Sequence, residues 1–315
     1  MPKTSKWLEM HLFGLEYLSA GEITAILDLA DELRPSATDP ATQLDTLEGK
    51  AVLNLFFEPS TRTAMSFAVA AQRCGARVIN FAVDASSTKK GETLIDTARN
   101  VEAMGVDIIV MRHSVAGAPQ MLAKNTRCSV VNAGDGRHEH PTQGLLDILT
   151  IRQAKGRIEG LKVAVVGDIA NSRVARSNLW GLTKLGAEVT FVGPPTMLPK
   201  SLEQFGARVM YDFDECIGDF DVINMLRIQL ERQADAAIPS LREYSRLYAL
   251  TDERLSRTKK DCLVMHPGPI NRGVELPSSV ADGPKSVIIP QVSNGVAIRM
   301  AVLMLVNRAR DSARK

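Results

Sequence analysis

The sequence contains few cysteines, and their spacing excludes two common kinds of site. The cysteines are Cys74, Cys128, Cys216 and Cys262, and no two of them form a C-x-x-C pair. Neither a zinc-knuckle pattern nor a thioredoxin-like redox motif is therefore present. Single cysteines that lie far apart fit a reducing compartment best, so the sequence predicts a cytoplasmic protein.

The sequence also predicts neither a secretion signal nor a membrane-spanning segment. Its N-terminal residues, MPKTSKWLEMHLFG, contain no unbroken apolar stretch of the kind that a signal peptide needs. In the tail, the most apolar stretch covers only residues 296–306 and includes Arg299, whereas a membrane-spanning helix needs about 20 apolar residues. We expect neither a signal peptide nor a transmembrane helix.

A large excess of charge of one sign is absent as well. The formal net charge is +2, from 38 Lys and Arg against 36 Asp and Glu. Nucleic acids and anionic membranes require a basic stripe, so neither is an expected partner. The 315-residue chain has 45% hydrophobic and 23% charged residues, which is typical of a globular protein. Its length predicts about two domains.

Several enzyme motifs are missing. The chain has no G-x-S-x-G and no G-x-x-x-x-G-K-[ST], which disfavours covalent serine catalysis and P-loop nucleotide hydrolysis. The segment VAVVGDIANSR lacks G-x-G-x-x-G, and Arg173 occupies the turn where glycine backbone would approach a pyrophosphate. Asp135, His138 and His140 lack the usual metal-ligand spacings. We predict no metal and no cofactor, which leaves transfer chemistry driven by positioning and charge.

What the chain does contain is a regular alternation of β-rich and helical segments. Apolar runs at residues 51–57, 77–83, 107–111 and 129–132 alternate with helical patterns near residues 62–73, 91–104, 118–124 and 141–155. A second series has apolar runs at residues 161–168, 188–193, 207–211, 221–226 and 262–266. Such alternation predicts parallel sheets with helices on their faces.

We therefore predict an α/β protein with two open parallel-sheet α/β domains bridged by long helices. The first domain covers residues 1–150 and the second covers residues 151–292. An opening helix at residues 19–33 precedes a loop at residues 35–40. A closing helix at residues 293–315 has its apolar residues at helical spacing, so we expect it to pack back on the first domain.

One stretch, FFEPSTRTA, connects the first apolar run to the next helical run. Ser60, Thr61, Arg62 and Thr63 should therefore lie where a strand passes into a helix. The first N–H groups of a helix have no intrahelical partner and lie at the positive end of its dipole, which favours anions. Arginine adds a planar fork that matches phosphate. A second interpretation is structural, with Ser60 as a helix cap and Arg62 solvated.

Cations or amides follow nearly every predicted strand. In open parallel sheets, ligands bind beyond the carboxyl ends of the strands. The cationic residues at these positions are Arg62, Lys90, Arg112, His140, Arg173 and Arg227. A nearly neutral chain with this placement is suited to small polyanionic substrates, which favours the anion-site interpretation of residues 60–63.

Seven short motifs occur in order along the chain. They are STRT at 60–63, S-x-x-x-K-G-E-T at 86–93, MRH at 111–113, HPTQ at 140–143, SRVARS at 172–177, R-x-Q at 227–229 and HPGP at 266–269. Together they resemble the aspartate/ornithine carbamoyltransferase family over essentially the whole chain. The family's ornithine enzymes have a cysteine in H-C-L-P where this chain has His266 and Pro267, and they lack the lysine found here at Lys90. The resemblance is therefore to the aspartate branch.

The resemblance implies a carbamoyltransferase fold and reaction. The carbamoyl group of carbamoyl phosphate would pass to the amine of L-aspartate, giving N-carbamoyl-L-aspartate and phosphate in de novo pyrimidine biosynthesis. The implied catalytic residues are Arg62, Thr63, Arg112 and His140. The implied carbamoyl phosphate site consists of Ser60, Thr61, Arg62, Thr63, Arg112, His140, Gln143, Pro267, Gly268 and Pro269, with Ser86 from a neighbouring subunit. The implied aspartate site consists of Arg173, Arg227 and Gln229, with Lys90 from a neighbouring subunit.

The resemblance also implies a homotrimer of catalytic chains and a cis peptide between Gly268 and Pro269. Whether regulatory or dihydroorotase-type chains join the trimer stays open. Asn171 stands where relatives often have histidine. We interpret His113, His138 and His266 as structural.

Two other functions stay open from the residues alone. The first is a carbamoyltransferase for a different amino acid. The second is a catalytically silent relative that binds phosphate ligands as a scaffold or sensor. A silent relative would be expected to lack a residue such as Arg62, Arg112 or His140, and all three are present.

Overall fold

The computed structural model describes residues 9–82, 93–228, 238 and 240–313. Three predicted site residues, Ser86, Lys90 and Gln229, lie outside them. Their assigned roles therefore stay predictions.

Helices and strands alternate along most of the described chain. The helices are α1 (Ala20–Thr38), α2 (Thr61–Arg73), α3 (Leu94–Ala103), α4 (Ala118–Ala123), α5 (Pro141–Lys155), α6 (Arg173–Lys184), α7 (Leu241–Tyr248), α8 (Asp252–Ser256), α9 (Ser278–Ala281) and α10 (Ile288–Ala313). The strands are β1 (Ala51–Phe56), β2 (Arg77–Ala82), β3 (Ile108–His113), β4 (Ser129–Asp135), β5 (Lys162–Val166), β6 (Glu188–Val192), β7 (Arg208–Met210), β8 (Val222–Met225) and β9 (Leu263–Met265).

The strands form two parallel sheets. Their strand orders are β2-β1-β3-β4 and β7-β6-β5-β8-β9, and every strand pair in both sheets is parallel. Every residue of β4 is buried, because helices cover both faces of a parallel sheet. The prediction of two parallel-sheet α/β domains is confirmed.

The chain divides into two compact units. Unit 1 comprises the described residues of Met1–Leu146 and Ser293–Lys315, and unit 2 comprises those of Asp147–Val292. The divisions fall inside α5 and α10, so each of these helices contributes residues to both units.

Each unit has its own apolar core. In unit 1, the core includes Leu53, Leu55, Ile109, Met111 and Val130. In unit 2, it includes Val166, Phe213, Ile223, Tyr244 and Val264. These residues come mainly from the apolar runs that predict the strands, so the same pattern that predicts the sheets also builds the cores.

The first helix is longer than its sequence pattern predicts. Ser19 caps α1 in a capping box with Glu22. The helix then continues through Pro35 to Thr38, where we expect a loop. Ala37 is 7% exposed and lies on the same buried face as Leu33, so burial of the last turn outweighs the loss of the proline N–H.

Helix α10 forms part of the core of unit 1. The Ser129 hydroxyl of β4 donates to the Val306 carbonyl at 3.2 Å, and the Arg299 guanidinium lies 5.0 Å from the centre of the Phe67 ring. An 18-residue window of α10 has a mean hydropathy of 1.5, enough by length and composition for a membrane span, but 61% of that window is buried inside the protein. A core helix satisfies the same criterion.

At the amino end of each sheet, one aspartate carboxylate bonds to the backbone of the neighbouring strand in the same way. In unit 1, Asp107 precedes β3, and its Oδ2 accepts a hydrogen bond from the Ala51 amide of β1 at 2.8 Å. In unit 2, Asp221 precedes β8, and its Oδ2 accepts from the Lys162 amide of β5 at 2.8 Å. Each aspartate also donates its own backbone amide to the same partner residue at 2.9 Å. Both carboxylates thus tie two neighbouring central strands together.

Candidate active site

The start of α2 has the geometry of an anion site. Ser60 is the N-cap residue in an extended conformation, and its side chain makes no capping hydrogen bond to the described residues. The first helical hydrogen bond runs from the Ala64 amide to the Ser60 carbonyl at 3.0 Å. Thr61 and Arg62 are exposed, whereas Thr63 is 8% exposed. The first turn therefore combines amides at the positive end of the helix dipole with hydroxyls and a guanidinium.

Arg112 lies beside this turn. It pairs in register with Phe56 at the end of β1, and its carbonyl accepts from the Phe57 amide at 2.8 Å. Its Nε lies 3.4 Å from Glu58 Oε2. Sequence reasoning missed Glu58, although an acid inside a stretch otherwise suited to anions is a signal for a residue that orients the arginine.

His140 and Gln143 lie at the start of α5. The His140 carbonyl accepts from the amides of Gln143 at 2.9 Å and Gly144 at 3.2 Å, and His140 is 4% exposed. The loop before them leaves β4, which is paired to β3 through His113 and Asp135. Because β1, β3 and β4 are neighbours in one parallel sheet, their exits bring Ser60–Thr63, Arg112, His140 and Gln143 to the same sheet edge.

The histidines that we interpret as structural have local partners. His113 Nδ1 accepts from the Val115 amide at 2.9 Å, and burial lowers the pKa of His113. His138 Nδ1 lies 3.1 Å from both carboxylate oxygens of Asp135, and this hydrogen bond raises the pKa of His138. His266 Nδ1 accepts from the Gly268 amide at 2.8 Å.

A possible metal-ligand group lies next to this edge. Ligand atoms of Glu16, His138 and Glu139 all lie within 4.8 Å of one another. The two oxygens of Glu139 accept hydrogen bonds from the amides of Leu15 at 2.8 Å and Glu16 at 3.0 Å. These bonds, with that between His138 and Asp135, account for the clustering of the three side chains.

In unit 2, Arg173 is the first residue of α6 and is 5% exposed. The side chain of the preceding Ser172 caps the helix by accepting from the Ala175 amide at 3.1 Å. Asn171, which departs from the family pattern, has a definite role in the loop. Its Nδ2 donates to both oxygens of Asp168 at 3.0 Å, and its backbone amide donates to the same carboxylate at 3.2 Å.

Arg227 follows β8, and a buried glutamate that sequence reasoning missed supports this strand exit. Glu275 Oε1 accepts from the Ile228 amide at 2.8 Å. Its Oε2 accepts from the Asn271 amide at 2.9 Å, and burial raises its pKa. Glu275 thereby links the segment after Arg227 to the loop that follows Pro269. Its only sequence signal is its place soon after HPGP.

The loop of Pro267, Gly268 and Pro269 contains the cis peptide that the family resemblance implies. The Gly268–Pro269 bond is cis, and Gly268 has φ 66°, a conformation that favours glycine. The preceding His266 donates its backbone amide to Gln291 Oε1 at 3.0 Å. This bond before Gly268 and the bond from the Asn271 amide to Glu275 after it hold the loop on both sides of the Gly268 carbonyl, which we expect to bind ligand.

Family models and known proteins match the chain along its length. The model for "Aspartate/ornithine carbamoyltransferase, carbamoyl-P binding domain" matches residues 10–153, and the model for the "Asp/Orn binding domain" matches residues 159–306. The aspartate carbamoyltransferase catalytic subunit of Syntrophotalea carbinolica is 55% identical over 306 residues, which cover 96% of this chain and 98% of that protein.

Solved structures of both branches are similar to this one. Aspartate transcarbamoylase from Trypanosoma cruzi, in complex with carbamoyl phosphate and aspartate, has a TM-score of 0.85 and 32% identity over 94% of this chain and 97% of its own. Ornithine carbamoyltransferase from Pyrococcus furiosus has a TM-score of 0.84 and 32% identity over 94% of this chain and 96% of its own. The chain belongs to the aspartate/ornithine carbamoyltransferase family.

Proposed function

We propose that this protein transfers the carbamoyl group of carbamoyl phosphate to the amine of L-aspartate. The products are N-carbamoyl-L-aspartate and phosphate, as in pyrimidine biosynthesis. The observation that carries the proposal is the sheet edge of unit 1, where Ser60–Thr63, Arg112 and His140 follow neighbouring strands. Aspartate as the acceptor is supported by a relative that is 55% identical and named aspartate carbamoyltransferase catalytic subunit.

The phosphate of carbamoyl phosphate binds at the start of α2. The amides and hydroxyls of Ser60, Thr61 and Thr63 donate to its oxygens, and the guanidiniums of Arg62 and Arg112 neutralise its charge. A helix N-terminus with two arginines is suited to a dianion, because the first helical amides lie at the positive end of the dipole and each guanidinium adds a positive charge.

The carbamoyl oxygen accepts hydrogen bonds from Thr63, Arg112 and His140. Attack by the aspartate amine on the carbonyl carbon forms a tetrahedral intermediate with negative charge on this oxygen. The C–O bond to phosphate then breaks, and the departing phosphate accepts the amine proton. Donors aimed at the developing oxyanion lower the barrier, and losing one such donor typically costs about 10²–10³-fold in rate. Gln143 and the carbonyls of Pro267 and Gly268 orient the carbamoyl NH2 group, with Pro269 fixing that loop.

The two carboxylates of aspartate bind to Arg173 and Arg227, with Gln229 and Lys90 as further ligands. Two guanidiniums attract a dicarboxylate and repel the cationic side chain of ornithine, so charge alone favours aspartate. The substrate amine is the nucleophile, so no covalent enzyme intermediate and no cofactor are needed.

Product analysis tests the proposed reaction. Purified protein is incubated with carbamoyl phosphate and either L-aspartate or L-ornithine, and the products are identified by mass spectrometry. We expect carbamoyl-aspartate from aspartate and no citrulline from ornithine, with activity strongly reduced in a His140→Ala control. Citrulline without carbamoyl-aspartate would contradict the proposal, and no product from either amino acid would favour a catalytically silent binding protein.

We also propose a cytoplasmic homotrimer in which Ser86 and Lys90 of one chain complete the site of its neighbour. Support comes from the family resemblance and from the surface of α2, where Met65 is 61% exposed and Val69 is 36% exposed one turn later. Exposed apolar side chains at adjacent turns are typical of surfaces that subunits bury. Four buried cysteines without a disulfide fit a reducing compartment.

Hybrid trimers test the sharing of sites. Arg62→Ala and Lys90→Ala should each be nearly inactive, because each removes a cation from the site. Mixing, dissociating and reassembling the two variants should restore part of the activity, since some sites then receive both intact residues from different chains. Each variant reassembled alone is the control. Confirmed hybrid trimers that stay inactive would show that sites are not shared.

A further inference from the structure

The N-terminal segment of the described chain lies along the edge of the unit 1 sheet. The Leu12 amide donates to the Val130 carbonyl at 2.9 Å, and the Asn132 amide donates to the Leu12 carbonyl at 2.8 Å. Asn132 also donates its side-chain amide to the Phe13 carbonyl at 2.8 Å. Leu12 thus extends the sheet beside β4 by a parallel bridge, and the residues after it continue toward the exit of that strand.

Glu139 connects this segment to the loop that carries His140. Its side chain is fully buried, with 0% exposure. Its Oε2 accepts from the Leu15 amide at 2.8 Å, and its Oε1 accepts from the Glu16 amide at 3.0 Å. Its backbone is also held, since its amide donates to Asp135 Oδ1 at 3.2 Å and its carbonyl accepts from the Asp135 amide at 3.2 Å. A buried carboxylate with two backbone donors is strongly held in place.

Gly14 makes room for this carboxylate. A Cβ added at residue 14 would lie 2.8 Å from Glu139 Cδ and closer still to Oε1. Gly14 is not among the glycines with positive φ, so its backbone conformation suits other residues. The requirement for glycine here comes from the approach of Glu139, and the two residues form one contact.

His140 follows Glu139 directly. The His140 side chain is 4% exposed, and its carbonyl starts α5 by accepting from Gln143 and Gly144. A shift of the Glu139 side chain must therefore be absorbed either by the N-terminal segment or by the peptide that bears His140. In a preorganised site, a displacement of about 1 Å can cost about 10²-fold in rate.

We propose that Glu139, seated against Gly14 and bonded to the amides of Leu15 and Glu16, is a positioning residue for His140. The inference rests on the proposed function, in which His140 donates to the carbamoyl oxygen as negative charge develops there. Glu139 does not touch substrate. It acts by holding the loop between β4 and α5 against the N-terminal segment.

Two single variants test the contact from both sides. Glu139→Gln keeps the side-chain volume and one carbonyl acceptor, but turns an NH2 group toward a backbone amide. Gly14→Ala keeps the carboxylate and displaces it. We expect each variant to lower kcat by about 10–10²-fold and to change the KM for carbamoyl phosphate little, because the misplaced donor acts mainly in the transition state. Glu32→Gln, at an exposed position on α1, is the matched control and should leave kcat unchanged.

Combination with His140→Ala separates positioning from a general loss of structure. If Glu139 acts through His140, the Glu139→Gln change should lower kcat by less than about twofold in the His140→Ala background. Full multiplication of the two effects would overturn the proposal. Melting temperatures of all variants identify any that fail to fold, and Gly14→Ala replaces Glu139→Gln in the cycle if the latter does.

The position of His140 can also be read without turnover. The protein has five histidines, so ring-labelled histidine gives a simple NMR spectrum in which the His140 signal is the one lost in His140→Ala. Glu139→Gln should shift this signal and leave that of His266, in unit 2, unchanged. An unmoved His140 signal overturns the positioning role. If Glu139→Gln shifts the His140 signal but the wild-type protein forms no carbamoyl-aspartate, only the proposed function is contradicted.

Discussion

The two units share one construction at the amino ends of their strands and differ at the carboxyl ends. Asp107 in unit 1 and Asp221 in unit 2 each accept a backbone hydrogen bond of 2.8 Å from the neighbouring central strand. At the opposite edge, Ser60 begins α2 without a side-chain cap to the described residues, whereas the side chain of Ser172 caps α6. The amino ends of the strands, which these aspartates stabilise, are therefore alike in the two units. The carboxyl ends, where we expect ligands to bind, differ.

This difference fits the kind of anion that each unit is proposed to bind. A phosphate needs several donors converging on one point, and an uncapped helix start offers its first amides together with the Ser60 hydroxyl. A carboxylate is matched by a single guanidinium fork. The start of α6 is capped by Ser172, so we expect the carboxylate to be bound there by the side chain of Arg173 and not by the helix amides.

The largest expected effect separates the two proposed sites. Arg112→Ala should lower kcat/KM by about 10²–10³-fold, because it removes a donor to both the phosphate and the developing oxyanion. Arg227→Ala should mainly raise the KM for aspartate. Inhibition by inorganic phosphate distinguishes the two variants, since its inhibition constant should rise only in Arg112→Ala. Equal loss of phosphate inhibition in both variants would contradict the assignment of phosphate binding to unit 1 and aspartate binding to unit 2.

The second comparison concerns the shared aspartates at the amino ends. Asp107 pairs with Arg310, which is 2% exposed, whereas Asp221 pairs with Lys259, which is 37% exposed. Asp107→Asn leaves a buried guanidinium without its counter-charge and should lower the free energy of unfolding by about 3 kcal/mol. Asp221→Asn should cost about 1 kcal/mol. Denaturant unfolding measures both, and a larger loss in Asp221→Asn would contradict the ranking.

The pH dependence of these aspartates has a definite sign. Burial alone would raise the pKa of Asp107, but hydrogen bonds from Arg310 and the Ala51 amide outweigh it and lower the pKa. The pKa of Asp221 is lowered in the same way, by the Lys162 amide and Lys259 acting against burial. Their contribution to stability is therefore present above the ordinary aspartate pKa of 3.8 and is lost as the pH falls through the folded-state pKa. Both Asn variants should lose less stability than the wild type on acidification.

A matched pair of serine variants tests the difference between the helix starts. Ser172→Ala removes a cap hydrogen bond and should lower the free energy of unfolding by about 1 kcal/mol. Ser60→Ala removes no cap bond to the described residues, so stability should change by less than about 0.5 kcal/mol. Loss of its hydroxyl should instead weaken carbamoyl phosphate binding by up to about tenfold. A destabilised Ser60→Ala protein with unchanged KM would make Ser60 a cap after all.

The smallest expected effect concerns a strand-exit aspartate in each unit. Asp135 bonds to His138, three residues later, and Asp168 bonds to Asn171, also three residues later. The hydrogen bond to Asp135 raises the pKa of His138 above its ordinary value of 6.5, with smaller contributions from Glu139 and Glu16. The contribution of His138 to the free energy of unfolding is therefore fully present below pH 6.5 and is lost as the pH rises through the raised pKa of the folded state.

His138 can be replaced by asparagine, the residue type that bonds to Asp168 in unit 2, to test this pH dependence. His138→Asn should lower the melting temperature more at about pH 5.5 than at about pH 8.5, where the imidazole is neutral in both states. Asn171→Ala is the control, and its effect should be the same at both pH values. A pH-independent loss in His138→Asn would mean that His138 contributes as a neutral hydrogen-bond donor only.

Most of the architecture follows from local patterns. Apolar runs separated by helical periodicity predict β1 to β9 within a few residues, because a strand buried on both faces must be apolar along its length. The end of α1 and helices α6, α7, α8 and α9 are not among the predicted segments. Pro35 argues locally for a loop, and only the burial of Ala37 keeps the last turn helical. Helices α7, α8 and α9 are short, and the stability of such short helices depends on packing.

The sequence by itself determined the family, the two parallel sheets and the cations that follow the strands. Each of these depends on neighbouring residues or on short motifs, which a chain displays before it folds. Only the tertiary structure decided which carboxylates hold the loops and the strand ends in place. Glu139 contacts amides 124 and 123 residues away, and Asp107 pairs with an arginine 203 residues away. Such contacts leave no periodic signal, because they arise only when distant segments of the chain meet.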